Sequence, residues 1–437
     1  MAISVLDFGA KPNSKEVQTK CFQDALDYCF NNGGGEVVVP EGEYIIGSIQ
    51  IKSNTTFHLL ENAKLLGSRD MADYPIFLNI DPEKFMPDVN YDGRREYTRN
   101  WHRGLINIYH SDNIAIIGDK NSIIDGRNVF NPDGEENYRG PHLLSAIHCE
   151  NLLLKGYTAQ NSSNWCHCTF FIKNAVVDDV TILAGHDGLD FFGSDNIEVK
   201  NCHIYSGDDC VAGYDNRNVV VRDCLLNTSC NIFRFSGKDV LIENCEVIGP
   251  GKYVHRYGLT LEQKINGDNI EPKDYAYYRN NMENFFLYYA DHRMNVRDIP
   301  SNILVRNCTV TNCDRFFSYT FHETVRWQCG APMGQIAFEN IKIDGVKDSI
   351  KALADPKVPF ELSVKDCEIT FKDPTVPFFK AGNFSKLTFE NIKTNNNQAP
   401  LGIEYGNAGE VIIKGGDLKE DGEILSRPYE EFIMPPH

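Results

Sequence analysis

The sequence predicts an all-β chain folded as one single-stranded, right-handed parallel β-helix, a solenoid with a short N-terminal helix and long irregular loops. Three observations predict it. A short phrase recurs, its copies lie about 21 residues apart, and each copy alternates apolar and polar residues. Copies run Asn196–Cys202, Asn218–Cys224, Asp239–Cys245, Asn302–Cys308, Gln335–Ile341, Glu361–Cys367 and Lys386–Ile392, with weaker ones starting at Asn113 and Asn151. Cys202 to Cys224 is 22 residues, Cys224 to Cys245 is 21, and Cys245 to Cys308 is 63, three times 21.

Each element follows from that pattern. Strict alternation marks a short strand, and the polar residues after it mark a turn. A unit this short cannot bury its own apolar face, so it must stack on its neighbour. Strands stacked at roughly 4.8 Å per coil make a parallel β-helix. Recurrent Asn and Asp then form ladders at the turns, and recurrent Cys or Ile fill the interior. The 14 cysteines therefore read as buried thiols rather than a disulfide framework. Cys166-His167-Cys168 lacks a second cluster at zinc-site spacing, and no metal is expected. A leucine-rich repeat is rejected, because helices between the strands are missing. One helix is expected over Lys15–Asn31, with Cys21, Ala25, Leu26 and Cys29 as its apolar positions. The whole chain, 1–437, reads as one domain. Residues 67–100 break the period as a loop. Residues 249–301 break it again as a Tyr-rich insertion near the cleft. Long excursions of a solenoid usually shape its binding face.

Composition narrows the partners. Apolar residues make up 42 % of the chain, enough for a large core. A formal net charge of −18 argues against nucleic acid or an anionic membrane as the main partner. No apolar run reaches the length of a membrane span. Met1–Gly9 carries no basic segment followed by an apolar one, which leads to an expectation of a cytoplasmic location, or a secreted one if a leader has been removed.

The chemistry centres on Gly185-His186-Asp187-Gly188-Leu189-Asp190 and Gly207-Asp208-Asp209-Cys210. Asp187 and Asp208 are 21 residues apart, one coil of the repeat. Residues one coil apart lie side by side at roughly 5 Å, so the period alone gathers Asp187, Asp208 and Asp209. Carboxylates this close cannot all ionise, and at least one pKa must rise. That yields a protonated acid and an ionised base, the pair that glycoside hydrolysis needs. Capping of turns is the alternative role for such aspartates.

The chain here resembles glycoside hydrolase family 28, the polygalacturonase-like enzymes. Asp7-Phe8-Gly9-Ala10, Asn32-Gly33-Gly34-Gly35, Val37–Gly42, Ile123–Gly126, Arg139–Leu143 and Gln160–Trp165 match its style, and Asp187-Gly188 followed by Gly207-Asp208-Asp209-Cys210 is the most specific match. The resemblance implies an inverting hydrolase without a cofactor. It implies Asp208 as general acid, with Asp187 and Asp209 holding and deprotonating a water. Departures accompany it. The family's Asn-Thr-Asp is Gly185-His186-Asp187. Its Gly-His-Gly is replaced by Cys230-Asn231-Ile232-Phe233-Arg234. Its Arg-Ile-Lys is missing from the expected place, and Asp314-Arg315-Phe316-Phe317 stands on a later coil. Candidate substrate-binding replacements are His186, Arg234, His255, Arg256, His292, Arg293, His322 and Arg326. Arg234 would either bind a uronate carboxylate or pair with the aspartates. Trp101, Trp165 and Trp327 are candidate sugar platforms. The expected partner is a pectin-related or other plant-type oligosaccharide, with cleavage from a chain end or within the chain left open. Two other readings stay open, a calcium-dependent polysaccharide lyase acting on uronides and a non-catalytic glycan-binding β-helix.

Overall fold

The period read from the sequence becomes physical stacking. The computed structural model describes residues 2–78, 101–134, 138–253, 255–256, 259–266, 280–290, 297–321, 331–396 and 399–428. Within them, every strand pairing is parallel, and each strand pairs with its counterpart one coil away. The chain is thus a parallel β-helix whose coils present three faces. One coil shows all three in Leu189–Phe192, Asp195–Lys200 and His203–Ser206.

The recurring phrase is the second of these strands with its flanking turns. Its alternate residues enter the interior and stack in rows, such as Ile197, Val219, Val240, Ile303, Ile336 and Leu362. Burying each such side chain contributes about 1.5–3 kcal/mol. The Asn or Asp residues that bracket the phrase adopt the left-handed backbone conformation, with φ of 59° at Asn196 and 55° at Asn201. Asn and Asp tolerate that region far better than most residues, which is why they recur there. The interior cysteines Cys202, Cys224, Cys245, Cys308 and Cys367 are buried, and every cysteine among the described residues is a free thiol.

The helix spans Thr19–Asn31 and lays Phe22, Ala25, Leu26 and Cys29 on the end of the stack. It starts later than Lys15. Val17 bridges Ile45 and Gln18 N–H donates to the Ile45 carbonyl, so the chain stays extended up to that point. The 249–301 interval is also less irregular than its composition suggests. Met282–Tyr288 within it is a full rung, with Phe286 stacked between Phe233 and Phe317. Most of the 67–100 loop lies outside the described residues. No helix among the described residues is long and apolar enough to cross a membrane.

Candidate active site

The site grows from one turn, the bend between the third strand of a coil and the first strand of the next. Asp187 occupies it between Thr181–Ala184 and Leu189–Phe192. Asp208 and Asp209 occupy it one coil later, between His203–Ser206 and Val211–Arg222. Backbone bonds fix the register. Cys166 N–H donates to the Asp187 carbonyl, Gly188 N–H to that of Asp209 and Cys210 N–H to that of Asn231, at 2.8, 2.8 and 2.9 Å. The Asp208 carbonyl accepts from the Ser206 and Thr228 hydroxyls, which pins the bend. Gly188 is needed for close approach, since a Cβ there would meet the Cys210 carbonyl oxygen at 2.7 Å.

The predicted trio does come together. Asp209 N–H donates to Asp187 Oδ1 at 3.2 Å, and both side chains are buried. Asp208 alone keeps a side chain partly open, 21 % exposed, and its Oδ2 lies 2.6 Å from His255 Nε2. Burial, followed by the charges of Asp208, Asp190 and Asp209, pushes Asp187 well above the ordinary carboxyl range. Burial and then Asp208 push Asp209 up to about 7, with Arg234 and Asn231 holding it back. For Asp208 burial acts in the same sense and is the largest single influence, but His255, Arg139 and Arg234 together outweigh it and hold the carboxyl below its ordinary value. The resting site therefore ionises Asp208, the residue that the resemblance implies as the acid. The His255–Asp208 pair carries the same charge whichever partner holds its one proton, and 2.6 Å is short enough to hand that proton across.

Of the eight substrate-binding candidates singled out from the sequence, four lie among the described residues. Arg234, two coils past Asp190 in register, pairs with Asp209 Oδ2 at 3.5 Å and lies 3.7 Å over the Tyr289 ring. It thus meets the aspartates and stays 19 % exposed. His186 is buried with its ring edge-on to His255 at 5.4 Å, and burial, then Arg139, holds it well below its ordinary value, so it is neutral. Arg256 crosses Gly185, where a Cβ would meet its Cγ at 2.6 Å. Its N–H donates to the Gly185 carbonyl at 3.1 Å. His255 and Arg256 therefore reach the site from the excursion after Ile248. His292, Arg293, His322 and Arg326 lie outside the described residues, as does Trp327. Trp165 is half-buried beside Phe192, stacked at 5.7 Å, with Trp101 edge-on at 5.1 Å.

Sequence reasoning missed several members. Asp190, fully buried, is a fourth carboxyl pushed well above its ordinary value by burial and then Asp209. Arg139 adds positive charge to Asp187, Asp208 and His186. Asn231 donates to Asp209 Oδ1 at 2.7 Å. It stands one coil past Asp209, where the resemblance calls for an imidazole, while His255 places an imidazole beside Asp208 from another segment. For metals, Asp208, Asp209 and Cys230 bring ligand atoms within 4.8 Å, the one such group among the described residues. A thiol is a soft donor that calcium does not favour.

The family model described as rhamnogalacturonase A/epimerase, pectate lyase-like matches residues 2–249. The chain belongs to this family. Among curated relatives, a probable polygalacturonase of Vitis vinifera is 29 % identical over 221 residues, 48 % of this chain and 43 % of the relative. An exo-poly-alpha-D-galacturonosidase of Dickeya chrysanthemi is 26 % identical over 257 residues, 48 % and 41 % respectively. The chain thus spans about two fifths of the length of these two relatives. The resemblance to polygalacturonase-like enzymes holds. Two solved structures share the fold. A hyperthermoactive exopolygalacturonase from Thermotoga maritima has a TM-score of 0.66 at 16 % identity, covering 91 % of this chain and 92 % of that one. A family 28 exopolygalacturonase of Yersinia enterocolitica has 0.60 at 16 %, covering 98 % and 78 %.

Proposed function

We propose that this chain is an inverting glycoside hydrolase of pectin-related oligouronides. One observation carries the reading: three carboxyls gather on adjacent coils, two of them buried and pushed up in pKa, and the partly open one lies 2.6 Å from an imidazole. Asp208, the reachable carboxyl, protonates the leaving oxygen with the proton that it shares with His255. Asp187 and Asp209, buried behind it, orient the water and take its proton. Arg234, flattened on Tyr289 beside the aspartates, would read a uronate carboxylate. The relatives named as polygalacturonases support that substrate class.

We further propose action from a chain end. The excursion after Ile248 lays Arg256 across Gly185, and Arg69 Nη1 donates to the Asn266 carbonyl at 2.7 Å. Those contacts put extra chain against the N-terminal side of the carboxylates, which favours a closed end over an open groove.

The test is a panel of plant-wall oligosaccharides given to wild type and Asp208→Asn, with anomeric configuration read by NMR. Inverted product from the wild type, and about 10³-fold less from the variant, is expected. Retained configuration would overturn the mechanism. An ultraviolet-absorbing unsaturated product abolished by chelator would make the chain a lyase, and no product from any glycan would leave it a binding module.

A further inference from the structure

A line of buried polar side chains runs away from Asp209 across three successive strands. Ser318 Oγ donates to Asn284 Oδ1 at 2.8 Å. Asn284 Nδ2 donates to Asn231 Oδ1 at 2.7 Å, and Asn231 Nδ2 to Asp209 Oδ1 at 2.7 Å. The exposures of Ser318, Asn284, Asn231 and Asp209 are 5, 3, 3 and 1 %. Register aligns the first link, since Asn231 stands opposite Asn284, whereas Ser318 stands opposite Leu287 and meets Asn284 through its side chain. Water scarcely competes for these bonds, and hydrogen bonds in series polarise one another.

We propose that Asn231, Asn284 and Ser318 are positioning residues that act through Asp209, fixing its carboxylate and dividing the work of its two oxygens. Oδ1 is committed to the Asn231 donor. Oδ2 is the oxygen that faces Arg234 at 3.5 Å, and the Cys230 thiol also hydrogen-bonds this carboxyl and favours its ionised form. Every donor in the line points toward Asp209, so the chain as a whole favours its ionised form. It opposes the burial and the Asp208 charge that raise this carboxyl to about 7. The inference rests on the reading of Asp209 as a base, but the orientation effect is measurable without any reaction.

The experiment titrates Asp209 directly by NMR of carboxyl-¹³C aspartate in the full-length protein, its signal assigned by loss in Asp209→Asn. The Asp209 midpoint should rise by about one pH unit in Asn231→Leu, by less in Asn284→Leu and least in Ser318→Ala. Ser318→Thr keeps the hydroxyl and should leave the midpoint in place. A merely structural role would change melting temperatures without this graded shift. Equal midpoints in wild type and Asn284→Leu would overturn the proposal, and that variant decides the matter even if Asn231→Leu does not fold. The acid limb of kcat/KM on an oligouronide should move upward with the same ranking. If the midpoints shift and the limb does not, the relay stands and the assignment of Asp209 as base falls.

Discussion

Two columns of side chains run along this solenoid, and they follow the same rule with opposite results. On the outer turn, Asn113, Asn151, Asn174, Asn196 and Asn218 each donate an amide N–H to the asparagine one coil earlier, at 2.9–3.1 Å. In the inner column, which runs from paired strands to the Asp209 bend, Asn284 donates to Asn231 and Asn231 to Asp209, with the same polarity. The outer column continues because an amide both donates and accepts. The inner one stops, because an ionised carboxylate only accepts. Beyond Asp209 a backbone N–H must take over to satisfy Asp187. Stacking thus stabilises amides and stresses carboxyls. Proton chemistry is concentrated where the ladder rule is broken and the site is dry.

The sharpest way to break this contrast is to make the inner column amide there too. Asp187→Asn should cut hydrolysis about 10³-fold, because the water loses one of the carboxyls that hold it for Asp209. It should also stabilise the fold. A carboxyl whose pKa is raised on folding keeps its proton where the unfolded chain, with an ordinary value near 3.8, has released it. Stability therefore falls as pH rises above that ordinary value and is regained below it. The variant removes that loss, so it should melt higher than wild type at pH 7 and alike near pH 3, as a thermal-melting series would reveal. A variant less stable at pH 7 would mean that the column is not under electrostatic stress.

Replacing His255 by Gln tests the other half of the inner site, with a smaller effect of about 10–100-fold on kcat/KM at neutral pH. The side chain keeps a polar tip but supplies no proton, so Asp208 must hold its own. Asp208 loses the contact that holds its carboxyl low, so its midpoint should move to higher pH and the pH profile should change with it. An unchanged profile would remove His255 from the proton path.

How much of this was legible in the sequence follows the same division. The coils were readable because turns of φ near 55–60° select Asn and Asp at a fixed spacing. The trio was readable because one coil of spacing is adjacency in space. Asn231 obeys that spacing, 22 residues past Asp209, yet an asparagine in a chain full of turn asparagines carries no chemical signal. Asn284 is 53 residues past Asn231 because the excursion intervenes, so no multiple of the coil points to it. His255 was named, but its bond to Asp208 was invisible, since an aperiodic segment has no register from which a contact can be counted. The same gap in periodicity hid the rung Met282–Tyr288 inside what reads as an insertion.

The smallest effect belongs to the outer column, and it separates backbone from ladder. Asn196 has φ of 59°, donates to Asn174 at 2.9 Å and accepts from Asn218 at 3.0 Å, all at the surface. Alanine there must adopt the left-handed conformation at a cost of about 1–2 kcal/mol, while exposed amide bonds exchanged for water contribute less. Asn196→Ala should therefore lower stability by about 1–2 kcal/mol in denaturant titration. Asn196→Gly, which meets no such steric penalty, should recover most of that loss, leaving only the ladder's share. Neither substitution should alter hydrolysis, because this turn lies between the first and second strands of the coil, whereas the aspartates sit between the third and the first. A glycine variant as unstable as the alanine one would mean that the amide ladder, rather than the turn it decorates, holds the coils in register.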